Sequence, residues 1–219
     1  MPLTDSILRL HLIPEQYIDY EPGQYLQITS AGERLSYSIA NAPLGSHKYE
    51  LHIRHKGNPY QQPLFKEIRE SGSVTISLPY GDCHLNRLDT GLPIIFIAGG
   101  TGFAPIKAMI EQLLATGDKR QFELYWGARS QSDLYLDEQV QKWQTHVSNF
   151  SYFSQHSDRN QKDALAKSVL KQHGHDLANY QIVFAGPFDM VYSVRDKLLD
   201  HGIERSRLYS DAFSFEARS

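Results

Sequence analysis

One stretch near the middle of the chain restricts the fold more than any other: an uncharged apolar run, three glycines and then a helical pattern. The run Ile94–Ala98 predicts a strand that is buried on both faces, because none of its positions is polar. Pro105 suits the first turn of the following helix, where a missing N–H costs nothing, and Gly117 suits its end. The apolar positions with helical spacing are Ile106, Met109, Ile110, Leu113 and Leu114.

The glycine turn between this strand and this helix is a candidate phosphate site. Its pattern is Gly-x-Gly-x-x-Pro rather than Gly-x-Gly-x-x-Gly, so the dinucleotide fingerprint is only partly met. Free amides at a helix start, beside glycines that permit close approach, suit a dinucleotide pyrophosphate. A tight turn that binds nothing is the alternative from these residues alone. The candidate binding residues are Gly99, Gly100, Thr101, Gly102, Phe103 and Pro105.

Composition excludes several classes of protein. With 219 residues, 41% hydrophobic and 21% charged, the chain has the composition of a soluble globular protein of one large or two small domains. A net charge of −3 gives no reason to expect nucleic acid or an anionic membrane as partner. No apolar run has the length of a membrane span and Met1–Pro14 is not a signal segment, so we expect a cytoplasmic location.

Cysteine and histidine usage argues against a metal centre. The single Cys83 excludes an internal disulfide and a four-cysteine iron–sulfur cluster. The ten histidines lack metal-ligand spacing, so we predict no metal site. We expect the following histidines on the surface or in loops: His52, His55, His173 and His175.

The first part of the chain predicts a small antiparallel barrel. It has many short strand patterns, with a loop beginning at Asn58 and a single short helix at Leu64–Ile68. The predicted strands are Ile7–Ile13, Gln24–Ile28, Leu35–Ala40, Tyr49–Arg54 and Ser73–Leu78.

The second part alternates strand and helix, which predicts a doubly wound parallel sheet. We therefore divide the chain into a barrel domain, 1–89, and an α/β domain, 90–219. After Ile94–Ala98 the predicted strands are Phe122–Trp126, Phe150–Phe153, Gln181–Ala185 and Leu208–Tyr209. The later predicted helices are Ser132–Trp143, Asp163–Gln172 and Met190–His201.

Four motifs in this order resemble the ferredoxin–NADP reductase superfamily, and within it the bacterial NAD(P)H:flavin oxidoreductases, which use flavin as a substrate. The motifs are Pro22–Leu26, Tyr37–Asn41, Gly99–Pro105 and Ala185–Met190. The segments Tyr125–Arg129 and Arg207–Phe215 extend the likeness over nearly the whole chain. The resemblance implies a flavin-binding barrel followed by a nicotinamide-nucleotide domain.

The resemblance also implies roles for barrel residues. Tyr37 and Ser38 match the strand that lies along the flavin ring, where a hydroxyl can hydrogen-bond N5 and a tyrosine ring offers a flat apolar surface. Strand side chains alternate, so these two point to opposite sides, and one of them reaches the ring through its backbone. An ordinary strand, with Tyr37 in the core and Ser38 at the surface, is the alternative. The other candidate flavin-binding residues are Arg34, Ile39, His52, Ile53 and Asp211.

Several positions depart from the family pattern. Leu35 stands where the family has arginine, and Arg34 is shifted by one residue, which on a strand means the other face. The stretch Gly57–Ile68 lacks the turn that holds the pyrophosphate of a permanent flavin. Both departures favour flavin as a diffusing substrate. The family barrel also has an earlier strand that Met1–Asp5 is too short to supply, so we expect a barrel open on that side unless another subunit covers it.

The second domain supplies the predicted nucleotide-binding residues of the site. Arg129 and Ser130 follow the second strand, where they suit a ribose 2′-phosphate, so NADPH is accepted as well as NADH. A solvated loop cation is the alternative for Arg129. By resemblance, Gly186, Pro187 and Phe188 bring backbone close to the nicotinamide, and Ala185 replaces a cysteine common in the superfamily.

These expectations combine into one function. NAD(P)H passes a hydride from nicotinamide C4 to flavin N5 with Ser38 as the catalytic residue, and reduced riboflavin, FMN or FAD leaves to serve a monooxygenase or to reduce ferric iron. Two alternatives stay open: a reductase that retains its flavin and passes electrons to a protein partner, and a non-catalytic nucleotide-binding module. Flavin preference, the nucleotide, and monomer against homodimer are left open by the sequence.

Overall fold

The computed structural model describes residues 1–55, 61–156 and 163–215. In the first domain the alternating sequence forms antiparallel strands, as predicted. One sheet pairs β1 with β4, and the other has the order β3-β2-β5. Both sheets and one helix enclose a common apolar core. The elements are β1 (Ile7–Leu12), β2 (Tyr25–Ser30), β3 (Glu33–Ser38), β4 (Tyr49–Arg54), α1 (Gln61–Ser71) and β5 (Thr75–Tyr80).

Strand β1 pairs with β4 along one edge, and we expected its other edge to be open. The first residues fold back along it: the Arg9 amide donates to the Met1 carbonyl at 2.8 Å, and Pro2 forms a bridge with Leu8. The edge is therefore covered near Leu8 and Arg9 by the chain itself.

The second domain contains a five-stranded sheet in which every pairing is parallel, in the order β10-β9-β6-β7-β8. Helices cover both faces and enclose two apolar cores, as the predicted doubly wound sheet requires. Its strands are β6 (Ile94–Gly99), β7 (Phe122–Ala128), β8 (Phe150–His156), β9 (Gln181–Ala185) and β10 (Leu208–Tyr209). Its helices are α2 (Phe103–Thr116), α3 (Asp137–His146), α4 (Ala164–His173) and α5 (Phe188–Asp200).

Several predicted boundaries in this architecture were wrong. Helix α1 spans Gln61–Ser71 rather than Leu64–Ile68, and β3 spans Glu33–Ser38 rather than Leu35–Ala40. The helix expected from Ser132 begins at Asp137, because residues before it form a 3₁₀ turn in which Asp133 binds Arg54 and Ser130. Strand β5 continues through Pro79 and Tyr80 instead of ending before them, since Tyr80 still pairs with Tyr25 of β2.

The expectation that the histidines are superficial was wrong for two of them. The His52 side chain is fully buried and hydrogen-bonded to Glu50 at 2.8 Å. His173 lies 2.8 Å from Glu123 and its side chain is 7% exposed, and its ring packs against Tyr180 at 4.6 Å between centroids. The loop predicted at Asn58 lies outside the described residues. No described helix is long and apolar enough to cross a membrane.

Candidate functional site

A cavity of about 150 Å³ lies between the two domains. Ser38, at the end of β3, lines it from the first domain, and Pro105 and Met109 of α2 form part of its wall. The loop after β9 closes another side. Five of the residues predicted from the sequence meet here: Ser38, Pro105, Gly186, Phe188 and Asp211.

The glycine turn after β6 is in backbone contact with the turn after β9. A Cβ on Gly102 would overlap the Ala185 carbonyl, and one on Gly99 would lie 2.5 Å from the Met190 sulfur. Gly100 has a φ of +54°, a conformation that favours glycine. Trp126 fixes the turn from beneath, because its indole N–H donates to the Gly100 carbonyl at 3.0 Å.

This turn lies at the carboxyl edge of the parallel sheet, where open α/β sheets bind their ligands. Thr101 is half-buried in the turn before α2, whereas Phe103 is fully buried and stacks on Trp126 at 4.1 Å between ring centroids. Phe103 therefore supports the turn as a core residue. Pro187 is exposed, and Phe188 is 50% exposed and lies 5.4 Å from the Phe215 ring.

The strand assigned to flavin has two different faces. Ser38 faces the cavity, and its hydroxyl makes no hydrogen bond to the described residues. Tyr37 packs against the core of the first domain, and burial raises the pKa of its phenol. Ile39 and Ile53 are fully buried in the same core, so a ligand could meet them only through their backbone. Arg34 is exposed and, four residues before Ser38, lies on the Ser38 face of the strand.

Asp211 joins the first domain to the tail of the second. Its Oδ1 accepts hydrogen bonds from the Asp82 and Cys83 amides, both at 3.0 Å. Burial raises the pKa of Asp211, and the two amide hydrogen bonds offset only part of that rise. The carboxyl therefore binds a proton more readily than an exposed aspartate does. A Cβ on Gly81 would lie 2.8 Å from its Oδ2.

The residues after β7 are the ones that we predicted to contact the ribose of the nucleotide. Arg129 is exposed and has no hydrogen-bond or ion-pair partner among the described residues. Ser130, by contrast, donates to Asp133 Oδ2 at 3.1 Å. Asp133 also pairs with Arg54 of β4 at 3.0 Å, and the Arg54 guanidinium lies 3.7 Å from the position of a Cβ on Gly100. Sequence reasoning missed Arg54 and Asp133, since a strand arginine and a loop aspartate carry no local signal.

A buried polar cluster joins the domains behind the cavity. Glu50 accepts hydrogen bonds from His52 at 2.8 Å and His11 at 3.0 Å, and Lys107 lies 3.2 Å away. Burial alone would raise the pKa of Glu50, but the hydrogen bonds from the two histidines and the Lys107 charge together lower it. Burial lowers the pKa of His52, which favours the neutral ring, although Glu50 acts in the opposite direction.

The tautomer of His52 follows from these contacts. A carboxylate only accepts, so Nε2 carries the proton toward Glu50, and Nδ1 accepts from the Tyr135 hydroxyl at 3.0 Å. His52 thus bridges the domains behind the cavity and does not line it. In the described parts of the chain, no group of three histidine, cysteine or acidic residues could hold a metal ion.

Comparisons with known proteins agree with this architecture. A family model described as "Oxidoreductase NAD-binding domain" matches residues 96–196. The chain is 34% identical to "Terephthalate 1,2-dioxygenase, reductase component 1" of Comamonas over 95% of its length, and it spans 64% of that relative. It is 26% identical to "Probable flavin reductase" of Aliivibrio fischeri, covering 97% of this chain and 94% of the relative.

Among solved structures, a "Ferredoxin reductase in carbazole 1,9a-dioxygenase" aligns with a TM-score of 0.77 at 22% identity, covering 97% of this chain and 66% of that one. This likeness concerns the fold: a first domain of antiparallel strands followed by a parallel-sheet nucleotide domain. The chain therefore has the fold of the ferredoxin reductase, and its residues 96–196 match the NAD-binding domain of oxidoreductases.

Proposed function

We propose that this chain reduces free flavin with NAD(P)H. One observation carries the proposal: a single cavity has Ser38 of the first domain on one wall and Ala185 and Gly186 of the second domain on the other. When bound, the reduced nicotinamide supplies a hydride from C4, flavin accepts it at N5, and a solvent proton completes the reduced flavin. Such a transfer requires the two rings to be held in near contact, which is a task of positioning.

The residues around the cavity supply the groups that this positioning needs. The unpaired Ser38 hydroxyl can donate to N5, because no described residue competes for it. The amides of the glycine turn and of the α2 start suit the nucleotide pyrophosphate, with Arg54 beside Gly100 as a counter-charge. Tyr37 acts from the barrel core and supports the strand that carries Ser38.

The size of the cavity limits what it encloses. Pockets that hold small molecules usually measure about 300–1,000 Å³. At about 150 Å³, this one has room for the reacting edges of two rings, and the remainder of each molecule must extend along open surface. The exposed Phe188, at one wall, can move to enlarge it without breaking a buried contact.

Release of the flavin is favoured by the barrel strand. Leu35, at the position where the family has an arginine, packs against the core and cannot bind a flavin phosphate. Arg34, the neighbouring residue, is exposed to solvent. The relative from Aliivibrio fischeri, which is similar over 97% of this chain, is named a probable flavin reductase. We therefore treat flavin as a substrate that leaves reduced, to be used by a flavin-dependent monooxygenase or in ferric reduction.

A second candidate function follows from the Comamonas relative, whose name makes it a reductase component. In that case this chain would retain its flavin and pass electrons to a protein partner. Purified protein that stays yellow through gel filtration would favour this second function over the first. The domain boundary at residue 89, a cytoplasmic location and a monomeric or homodimeric state stay predictions.

The primary test follows NADPH and NADH absorbance at 340 nm with and without riboflavin, FMN or FAD. We expect oxidation that depends on added flavin and saturates with it. Nucleotide binding without flavin-dependent oxidation would favour a non-catalytic binding module and refute the proposal.

A further inference from the structure

Lys107, on α2, is 4% exposed, and its ammonium has partners from both domains. It donates to the Ala40 carbonyl at 2.9 Å and forms ion pairs with Glu50 at 3.2 Å and Glu111 at 2.7 Å. An ammonium has three N–H donors, so all of them are used. A buried lysine that is so fully satisfied fixes the positions of the groups around it.

Glu111 contacts the same barrel segment from the next turn of α2. Its Oε2 accepts the Ala42 amide at 3.1 Å, while Oε1 receives Lys107. Two side chains of one helix therefore hold residues 40–42 at a carbonyl and at an amide. The Ala40 amide in turn donates to the Glu50 carbonyl at 2.7 Å, so the segment is fixed from both sides.

This segment begins two residues after Ser38, at the end of the strand that reaches the cavity. The same helix begins at the glycine turn, and its residues Pro105 and Met109 line the cavity. Helix α2 is thus a rigid connection between the wall that carries Ser38 and the turns beside Gly186.

We propose that Lys107, assisted by Glu111, is a positioning residue. It sets the distance across the cavity between Ser38 and the turn that follows β9. This inference rests on the proposed hydride transfer. Reacting atoms must approach to about 3–3.5 Å, and a misplacement of about 1 Å can slow a reaction about 100-fold. Loss of the Lys107 contacts should therefore slow transfer while leaving each binding surface in place.

The test uses a variant with balanced charge. Lys107→Met alone would leave the buried Glu50 with only Arg9 as a cation and the half-buried Glu111 with none, which endangers folding. Lys107→Met/Glu111→Gln removes one charge of each sign, and Glu50 keeps its hydrogen bonds from His52 and His11. The matched control is Lys66→Met/Glu70→Gln, an exposed pair with the same spacing on α1.

Two measurements are made on each protein. The first is single-turnover hydride transfer by stopped-flow absorbance, together with KM values for NADPH and flavin. The second is amide hydrogen exchange of residues 40–42 in the protein without added ligand. We expect transfer to slow by about tenfold or more in Lys107→Met/Glu111→Gln, with both KM values within about threefold of the unmodified protein. We also expect faster exchange over residues 40–42, because the Ala40 carbonyl loses the Lys107 ammonium while a glutamine oxygen can still accept the Ala42 amide. The control variant should change neither measurement.

The contrary outcomes are distinct. An unchanged transfer rate in the variant, or a loss that only follows the fraction of unfolded protein, would overturn the positioning role while the unmodified enzyme remains active. Unaltered exchange over residues 40–42 would overturn the claim that Lys107 of α2 holds this segment. If the unmodified protein shows no flavin-dependent oxidation, the proposed function fails first and this role fails with it.

Discussion

Gly102 stands directly against Ala185, so the two turns that border the cavity touch through their backbones. A Cβ on Gly102 would lie 2.5 Å from the Gly186 nitrogen and would overlap the Ala185 carbonyl. The backbone of Gly102, at φ −59° and ψ −12°, is one that any residue can adopt. The requirement for glycine at this position therefore comes from space and not from conformation.

Replacement of Gly102 by alanine should push these turns apart. We expect a loss of about 1–3 kcal/mol in the free energy of unfolding, because the added methyl group has no room. We also expect NADPH binding to weaken by about tenfold or more, since the displaced turn carries the proposed pyrophosphate site. Urea denaturation and nucleotide fluorescence titration measure the two effects. Gly91→Ala, in an exposed turn, is the control and should leave nucleotide binding unchanged.

Ser38→Ala tests the hydroxyl that faces the cavity. We expect slower hydride transfer to flavin, by about three- to tenfold for one hydrogen bond, with nucleotide affinity unchanged. The control is Ser36→Ala, on the same face of β3 but exposed and outside the cavity. Stopped-flow traces at saturating NADPH measure the rate. An equal loss of transfer rate and of nucleotide affinity would refute contact between Ser38 and N5.

Much of the fold could be predicted from the sequence, because its strands have simple patterns. The bounds of β4, β9 and β10 agree with the prediction, since alternating or continuous apolar runs end there at polar or glycine residues. The start of α3 could not be predicted in this way. It depends on Asp133, whose partner Arg54 is 79 residues away in the chain.

Some residues of the candidate site could likewise be predicted from the sequence, and others could not. Ser38, Gly186 and Asp211 could be found because each lies in a motif, and all three line one cavity. Glu50 and Lys107 could not be found, since a single acidic or basic residue in a strand or helix is usually solvated. Their role in joining the domains depends on contacts across 57 positions of the chain, which no local pattern records.

Arg129 offers a test of nucleotide choice. Among the described residues it has no partner, whereas Ser130 is already bonded to Asp133. We expect Arg129→Gln to raise the KM for NADPH by about tenfold or more, the value of a charge-assisted hydrogen bond, and to leave the KM for NADH nearly unchanged. Arg69→Gln, an exposed arginine in the last turn of α1, is the control. Equal effects on the two nucleotides would mean that Arg129 does not meet the 2′-phosphate.

Asp211 makes the stability of the protein depend on pH in a direction opposite to that of most aspartates. Burial raises the pKa of its carboxyl above the ordinary value of 3.8. The folded state therefore binds this proton more tightly than the unfolded state, and stability falls as the pH rises from about 3.8 through the raised pKa. Asp211→Asn keeps an acceptor oxygen for the Asp82 and Cys83 amides but cannot ionise.

We therefore expect the free energy of unfolding of Asp211→Asn, relative to the unmodified protein, to increase with pH across this window and then to stay level. Urea denaturation at a series of pH values measures the difference. Asp211→Ala should show the same dependence on pH at a level lower by about 1–3 kcal/mol, because the two amides lose their acceptor. The comparison separates the proton from the hydrogen bonds, since only the second variant leaves the amides of residues 82 and 83 unpaired. A difference that decreases with pH would mean that the Asp211 carboxylate is stabilised, and not penalised, by its position beside the cavity.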